Sequence, residues 1–289
     1  MITKKTSPDR LIRDVQKTLA LPTPPEYIIS NGKVESGQYR VESFDLPAVA
    51  GYWSASHDMQ SKGTVLKAGK TTIMSTTPLE VESHVMAQYS AKGRVVIAGL
   101  GLAMITMSLL KKKSVTKVTV LEIDEAIISL YPDILAEQEQ EIWKGAVASG
   151  RLNIVQADCT KPLPLDVIEK IGKVNYMWCD VWNNLGSNEA MPITELLCAQ
   201  LKPQQCDWWG WELFVAIEAI KFNITSKAKN NYALSNKVMQ ALKEKSPIPL
   251  SLYNLDAKAF KLMSMLVFIA AKQTAILEKQ SEKRRVKVF

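Results

Sequence analysis

The chain is poor in the side chains that build metal centres and disulfide frameworks. Its 289 residues hold four cysteines, Cys159, Cys179, Cys198 and Cys206, and no two of them stand in a CxxC spacing. That pattern points to reduced thiols and gives no support to a zinc site. With His57 and His84 as its only histidines, the chain offers no histidine-rich site either, and no metal is expected. No uninterrupted apolar run reaches about 18 residues, the minimum for a helix that spans a bilayer, so no membrane partner is expected. The opening residues MITKKTSPDR lack the apolar core of a secretory signal, and a cytoplasmic location is expected. No internal repeat or low-complexity segment is visible.

What is present suits an enzyme-sized globule. Hydrophobic residues make up 47% of the chain, enough at this length for a full α/β core plus an appendage. Lysine and arginine number 36 against 29 acidic residues, a net charge of +7 that is spread rather than concentrated. The one dense cluster, Lys283-Arg284-Arg285-Val286-Lys287, reads as a solvated tail, and nucleic acid is not an expected partner. No Asn/Asp-Pro-Pro-Tyr-type motif or Pro-Cys pair argues for nucleic-acid methylation.

Residues 94–124, RVVIAGLGLAMITMSLLKKKSVTKVTVLEID, carry the most informative pattern. Arg94 to Ala98 reads as a buried strand, Gly99-Leu100-Gly101 as a tight turn, and Ala103 to Leu110 as a helix. Lys111, Lys112 and Lys113 close that helix, where positive charge suits the negative helix end. Val118 to Leu121 is a second strand, delivering Glu122 and Asp124 at its carboxyl end. In a parallel sheet that rim is where ligands bind, and an acid so placed can accept hydrogen bonds from ribose hydroxyls. An adenosine-containing cofactor is therefore expected. The third glycine of the dinucleotide fingerprint is replaced by Met104, which would crowd a pyrophosphate. S-adenosylmethionine, which has no phosphate, fits better.

The order continues along the chain. Asn153 to Ala157 reads as a third strand ending at Asp158, and Val174 to Cys179 as a fourth ending at Asp180, with Trp182, Asn183 and Asn184 just beyond. Asp158 reads either as an acceptor for an adenine amine or as a turn cap. Asp180 reads either as a catalytic or substrate-binding acid or as a helix cap. Five of the seven tryptophans fall between Trp178 and Trp211. Trp182 reads equally as a cation–π wall or as core, whereas Trp208 and Trp209 read as core.

With these residues in view, the chain resembles class I S-adenosylmethionine-dependent methyltransferases, and within them the spermidine-synthase-like branch. The resemblance rests on VVIAGLGLAM (95–104), VTVLEID (118–124), QADC (156–159) and WCDVW (178–182), with MSTTPLEVESHVM (74–86) as the lead-in. It implies a Rossmann-like methyltransferase fold. It also implies that Gly99, Gly101, Glu122, Asp158 and Cys159 bind S-adenosylmethionine or its decarboxylated form, and that Asp180 faces the reacting centre. Trp182, Asn183, Glu82 and His84 become candidates for contact with the substrate.

Two departures qualify what the resemblance implies. Polyamine-forming members carry a second aspartate after the first at the fourth strand's end, where this chain has Asn183 and Asn184. They also carry a Tyr-His pair before the first strand, where this chain has Ser83-His84. A polycation needs carboxylates, so the leading expectation is methyl transfer to a small molecule. Aminopropyl transfer and a non-catalytic nucleotide-binding protein of the same fold are the alternatives.

The expected organisation is α/β in three regions. Residues 1–70 would form a helix over Asp9 to Leu19 and a small β appendage, with strands at Tyr27 to Ile29 and Tyr39 to Phe44 around an Asn31-Gly32 turn. Residues 71–212 would form the cofactor-binding core, with helices over Asp124 to Leu135, Ala136 to Ala148 and Thr194 to Leu201. Residues 213–289 would be mainly helical, over Ser235 to Lys245 and Ala257 to Lys279. Glu212 to Ile220 reads as strand or helix, and the sheet as shortened to about five strands. Leu262, Met265, Leu266 and Ile269 form an apolar stripe suited to the core or to a homodimer contact.

Overall fold

The computed structural model describes residues 23–29, 32–46, 51–52, 62–221, 236–246, 248–264 and 267. They fall into two compact units, one ending at Trp209 but rejoined by Pro249–Ser251, the other made of Gly210–Ile248 and the residues from Leu252 onward.

The first unit opens with an antiparallel sheet of β1 (Lys33–Ser36), β2 (Tyr39–Asp45), β3 (Lys62–Ala68) and β4 (Thr71–Ser75), paired in that order. The β1–β2 hairpin turns at Gly37-Gln38, with Gly37 at φ 56, and Asn31 of the expected Asn31-Gly32 turn lies outside the described residues. Tyr27 makes only an isolated bridge to Leu135 in place of a strand. Two short helices follow, α1 (Pro78–Ser83) and α2 (Val85–Ser90), with Pro78 at the first helical position where its missing N–H costs nothing.

The core is a five-stranded sheet of β5 (Gly93–Ala98), β6 (Val115–Glu122), β7 (Leu152–Gln156), β8 (Tyr176–Cys179) and β9 (Gln205–Trp208). Every pairing is parallel and the spatial order is β7-β6-β5-β8-β9. This is a Rossmann-like fold. Parallel strands covered on both faces lose the apolar-polar alternation of half-exposed ones. Hence Val95 to Ala98 and Tyr176 to Cys179 are buried without a break. Helices α3 (Met104–Leu110), α4 (Glu125–Ile128), α5 (Glu137–Ala148), α6 (Leu165–Ile171) and α7 (Ala190–Leu201) make the crossovers. The chain's direction across the sheet reverses between β5 and β8, and the crevice at such a reversal is where ligands of this architecture lie.

Local expectations fared unevenly. The helix after β6 stops at Ile128, because Asp124 caps only one turn before the chain turns through Pro132. The Lys112 side chain is committed away from the end of α3. Its ammonium donates to the carbonyls of Gln88 and Tyr89 at the end of α2, and burial lowers its pKa to about 8. The fifth strand lies where the sequence showed only tryptophans, and α6 had no sequence expectation at all. On the free side of β9, Cys206 N–H donates to the Pro249 carbonyl at 2.9 Å and Leu250 bridges Cys206 in parallel. A strand edge is thereby covered by a returning segment.

In the second unit, 212–220 is helical within α8 (Trp211–Lys221), followed by α9 (Asn236–Lys245) and a helix over 257–264. Lys245 and Glu218 join α9 to α8 at 2.6 Å. The helix over 257–264 starts where Asp256 Oδ1 accepts the N–H groups of Lys258 and Ala259. The expected helix at Asp9 to Leu19, residues 268–279 of the Ala257 to Lys279 helix, Met265, Leu266 and Ile269 of the apolar stripe, and the basic tail lie outside the described residues. No helix among the described residues is long and apolar enough to cross a membrane.

Candidate functional site

The carboxyl ends of β5, β6, β7 and β8 open on one cavity of about 320 Å³. Its wall includes Gly99, Gly101, Glu122, Asp158, Cys159 and Asp180, together with Trp182 and Asn183. Eight of the sequence-chosen residues thus meet at one place, as parallel strands with a common direction require. Two do not reach it. Glu82 is buried within α1, and His84 stands behind Asp180, its Nε2 3.6 Å from Asp180 Oδ2.

The glycine turn after β5 is held from several sides. Gly99 N–H donates to the Leu121 carbonyl at 2.8 Å. Leu100 N–H donates to Glu122 Oε2 at 2.8 Å, while Glu122 Oε1 accepts from Asp124 N–H at 3.0 Å. Glu122 is therefore a brace for the turn as well as a wall of the cavity. A carboxylate has about four acceptor positions, so each oxygen retains a lone pair for a ligand hydroxyl. The hydroxyls of Tyr131 and Tyr27 donate to the carbonyls of Gly101 and Leu102, at 2.8 and 2.7 Å. Met74, at the end of the antiparallel sheet, receives Leu102 N–H on its sulfur at 3.2 Å.

The other acids differ in how far they are committed. Asp158 Oδ1 accepts from Thr160 N–H and Oγ1–H, at 3.0 and 2.6 Å, and Oδ2 pairs with Lys161 at 2.8 Å. These partners, Lys161 foremost, hold its pKa down at about 2, so the carboxylate closes its own turn and stays ionised. Asp124 caps α4 and accepts the Tyr39 hydroxyl at 2.9 Å. The Cys159 thiol is pushed up to about 12, first by burial and then by Glu122 and Asp158. It contributes shape and not a thiolate.

Several residues at the site were not singled out from sequence. Tyr39, Ile73 and Met74 come from the antiparallel sheet, and Ile123 and Ile127 from the strand end and first turn after β6. Ile123 is 57% exposed, an apolar side chain left open beside Glu122. Glu80 was visible four residues before His84, but its burial was not. Both its oxygens accept from Ser75, from N–H at 2.7 Å and Oγ–H at 3.0 Å. Trp209 Nε1–H donates to Ser83 Oγ at 2.9 Å, which makes that tryptophan part of the core.

No family model and no curated protein matches the chain. Among solved structures it is similar to a spermidine synthase from Thermotoga maritima, with TM-score 0.36, 16% identity and 67% of each chain covered. It is also similar to the methyltransferase domain of bacterial CtHen1-CN, with TM-score 0.31, 16% identity, and 56% of this chain against 77% of that one. A spermidine synthase in complex with the transition-state analogue AdoDATO gives TM-score 0.35 and 16% identity, over 67% of this chain and 66% of that one. Likenesses this distant carry no weight for function, which has to come from the chain's own geometry.

Proposed function

We propose that the cavity at the β5–β8 reversal holds the adenosyl group of S-adenosylmethionine, and that the protein is a transferase acting on a small molecule, with methyl transfer the leading reaction. The observation that carries this reading is the convergence of Gly99, Glu122, Asp158 and Asp180 on one cavity at the carboxyl rim. The residues present fit such a group. Gly99 puts backbone at the cavity wall, Glu122 keeps lone pairs for ribose hydroxyls, and open Ile123 offers an apolar face for a base. When bound, the cofactor supplies an alkyl group on a positively charged sulfur, whose departure leaves a neutral thioether. Asp180 can orient an acceptor N–H or O–H and take up its proton. Trp182 closes the cavity beside it with an indole only 6% exposed, which keeps water away.

Aminopropyl transfer finds less support here. Asn183 and Asn184 are exposed amides where a second carboxylate would be wanted, and Asp158 is already paired with Lys161. A non-catalytic adenosyl-binding protein is the second reading, favoured by the backbone-bracing role of Glu122.

Calorimetric titration with S-adenosylhomocysteine tests the binding. Native protein should bind, and Glu122→Gln should bind at least about tenfold more weakly while keeping much of its fold. Glu122→Ala should also lose about 1–3 kcal/mol of stability by orphaning the Leu100 and Asp124 N–H groups. Equal heats from native and Glu122→Gln protein, or none from either, would remove the proposal. Binding without alkyl transfer across a broad acceptor panel would select the second reading.

A further inference from the structure

Behind the Asp180 wall stands a group of titratable side chains that alkyl transfer by itself does not require. Glu80 in α1 and His84 at its end are four residues apart and so share a face of that turn. His84 Nε2 lies 3.6 Å from Asp180 Oδ2, with the two side chains 1% and 9% exposed. Neither ring nitrogen of His84 hydrogen-bonds a described residue. The ring instead packs edge-on against Trp178, centroids 5.6 Å apart. Glu80 is anchored through Ser75, the titratable groups acting on it are His84 and Asp180, and it acts in turn on the Tyr27 hydroxyl. Of the three, only Asp180 opens on the cavity.

The carboxyls of Glu80 and Asp180 act on each other, so a charge placed at Asp180 is felt at Glu80. The cluster carries one more negative charge when Glu80 is ionised than when it is protonated. Burial raises Glu80 to about 7, so near neutral pH both states are populated. A ligand charge delivered against Asp180 decides between them. A cation favours the state with Glu80 ionised and sends its proton to solvent, breaking only the carboxyl O–H bond. An uncharged group of the same shape does not.

We infer that Glu80, His84 and Asp180 form a proton-linked charge sensor by which the cavity distinguishes a sulfonium ligand from the corresponding uncharged thioether. The inference rests on the adenosyl reading of the cavity. Glu80 and His84 are positioning residues in this scheme, acting on the ligand only through Asp180.

The test uses S-adenosylmethionine and S-adenosylhomocysteine, which differ by one methyl group and one positive charge. Each is titrated into the full chain in buffers of different ionisation enthalpy, from about pH 6 to about pH 9, a range that spans the proton loss of Glu80. The sulfonium should release more protons than the thioether near neutrality. Its affinity relative to the thioether should rise with pH by up to about tenfold per pH unit and then level off. Glu80→Gln should flatten that rise. An infrared band of a protonated carboxyl group should fade when the sulfonium binds native protein, and persist with the thioether. Equal proton release by two ligands that both bind would overturn the inference and leave the adenosyl site standing. A difference undiminished in Glu80→Gln would do the same. If that variant does not fold, the two-ligand comparison on native protein decides alone. No binding of either ligand would bring down the adenosyl reading and this inference with it.

Discussion

A Cβ placed on Gly99 would stand 2.0 Å from the carbonyl oxygen of Asp180, inside any permitted contact. The ends of β5 and β8 therefore approach as closely as a glycine allows, and Gly99 adopts φ 94 to do so. The contact lies at the reversal of the sheet, where the turn carrying Gly99 and the acid at the end of β8 face one cavity. The closeness of the two strand ends and the placement of Asp180 are one feature.

Gly99→Ala is expected to lose at least about 2 kcal/mol of stability, from backbone conformation and from contact with backbone that cannot swing aside. Urea unfolding measures it. A variant as stable as the parent would show that the turn has another conformation available.

Ile123→Ala isolates the apolar side of the cavity. Because the side chain is 57% exposed, stability should change by no more than about 0.5 kcal/mol. Affinity for S-adenosylhomocysteine should fall by roughly fivefold, the size expected for losing about 1 kcal/mol of apolar contact. Unchanged affinity would place the base elsewhere.

Asp207 gives stability a definite pH dependence. It is fully buried on β9, accepts the Tyr176 hydroxyl at 2.9 Å and Ser251 N–H at 3.1 Å, and burial raises it from 3.8 to about 7. The folded state then holds this proton more tightly than the unfolded chain. The Asp207 contribution to stability should be largest below about pH 4, fall as pH rises towards about 7, and level above that. Glu80, raised from 4.5 to about 7, acts in the same direction. Unfolding free energies across this window should slope downward in native protein by a few kcal/mol at most, and less steeply in Asp207→Asn. An identical slope in both proteins would show that Asp207 ionises freely.

The legible parts were those whose signal is short and uninterrupted. Val95 to Ala98 and Val118 to Glu122 announce themselves as strands buried on both faces, and the ends of those runs put Gly99 and Glu122 at the rim. β9 stayed hidden because it is four residues long and carries Asp207 in its middle, a charge that argues against a buried strand until Tyr176 and Ser251 satisfy it. The expected helix over Asp124 to Leu135 failed because its apolar residues serve other partners. Leu135 bridges Tyr27, and Tyr131 turns inward to stack on Trp143 and bond Gly101.

Taken alone, the sequence determined that acids and glycines would arrive in order at the carboxyl ends of parallel strands. Periodicity and turn chemistry act over a few neighbouring residues and need no knowledge of the rest of the chain. Only the tertiary structure decided what each acid is free to do. Asp158 is tied to Lys161, Glu122 braces Leu100, and Asp180 backs onto His84. The latter two pairings join residues far apart in the chain, and it is sheet register and burial, not local pattern, that bring such partners within reach.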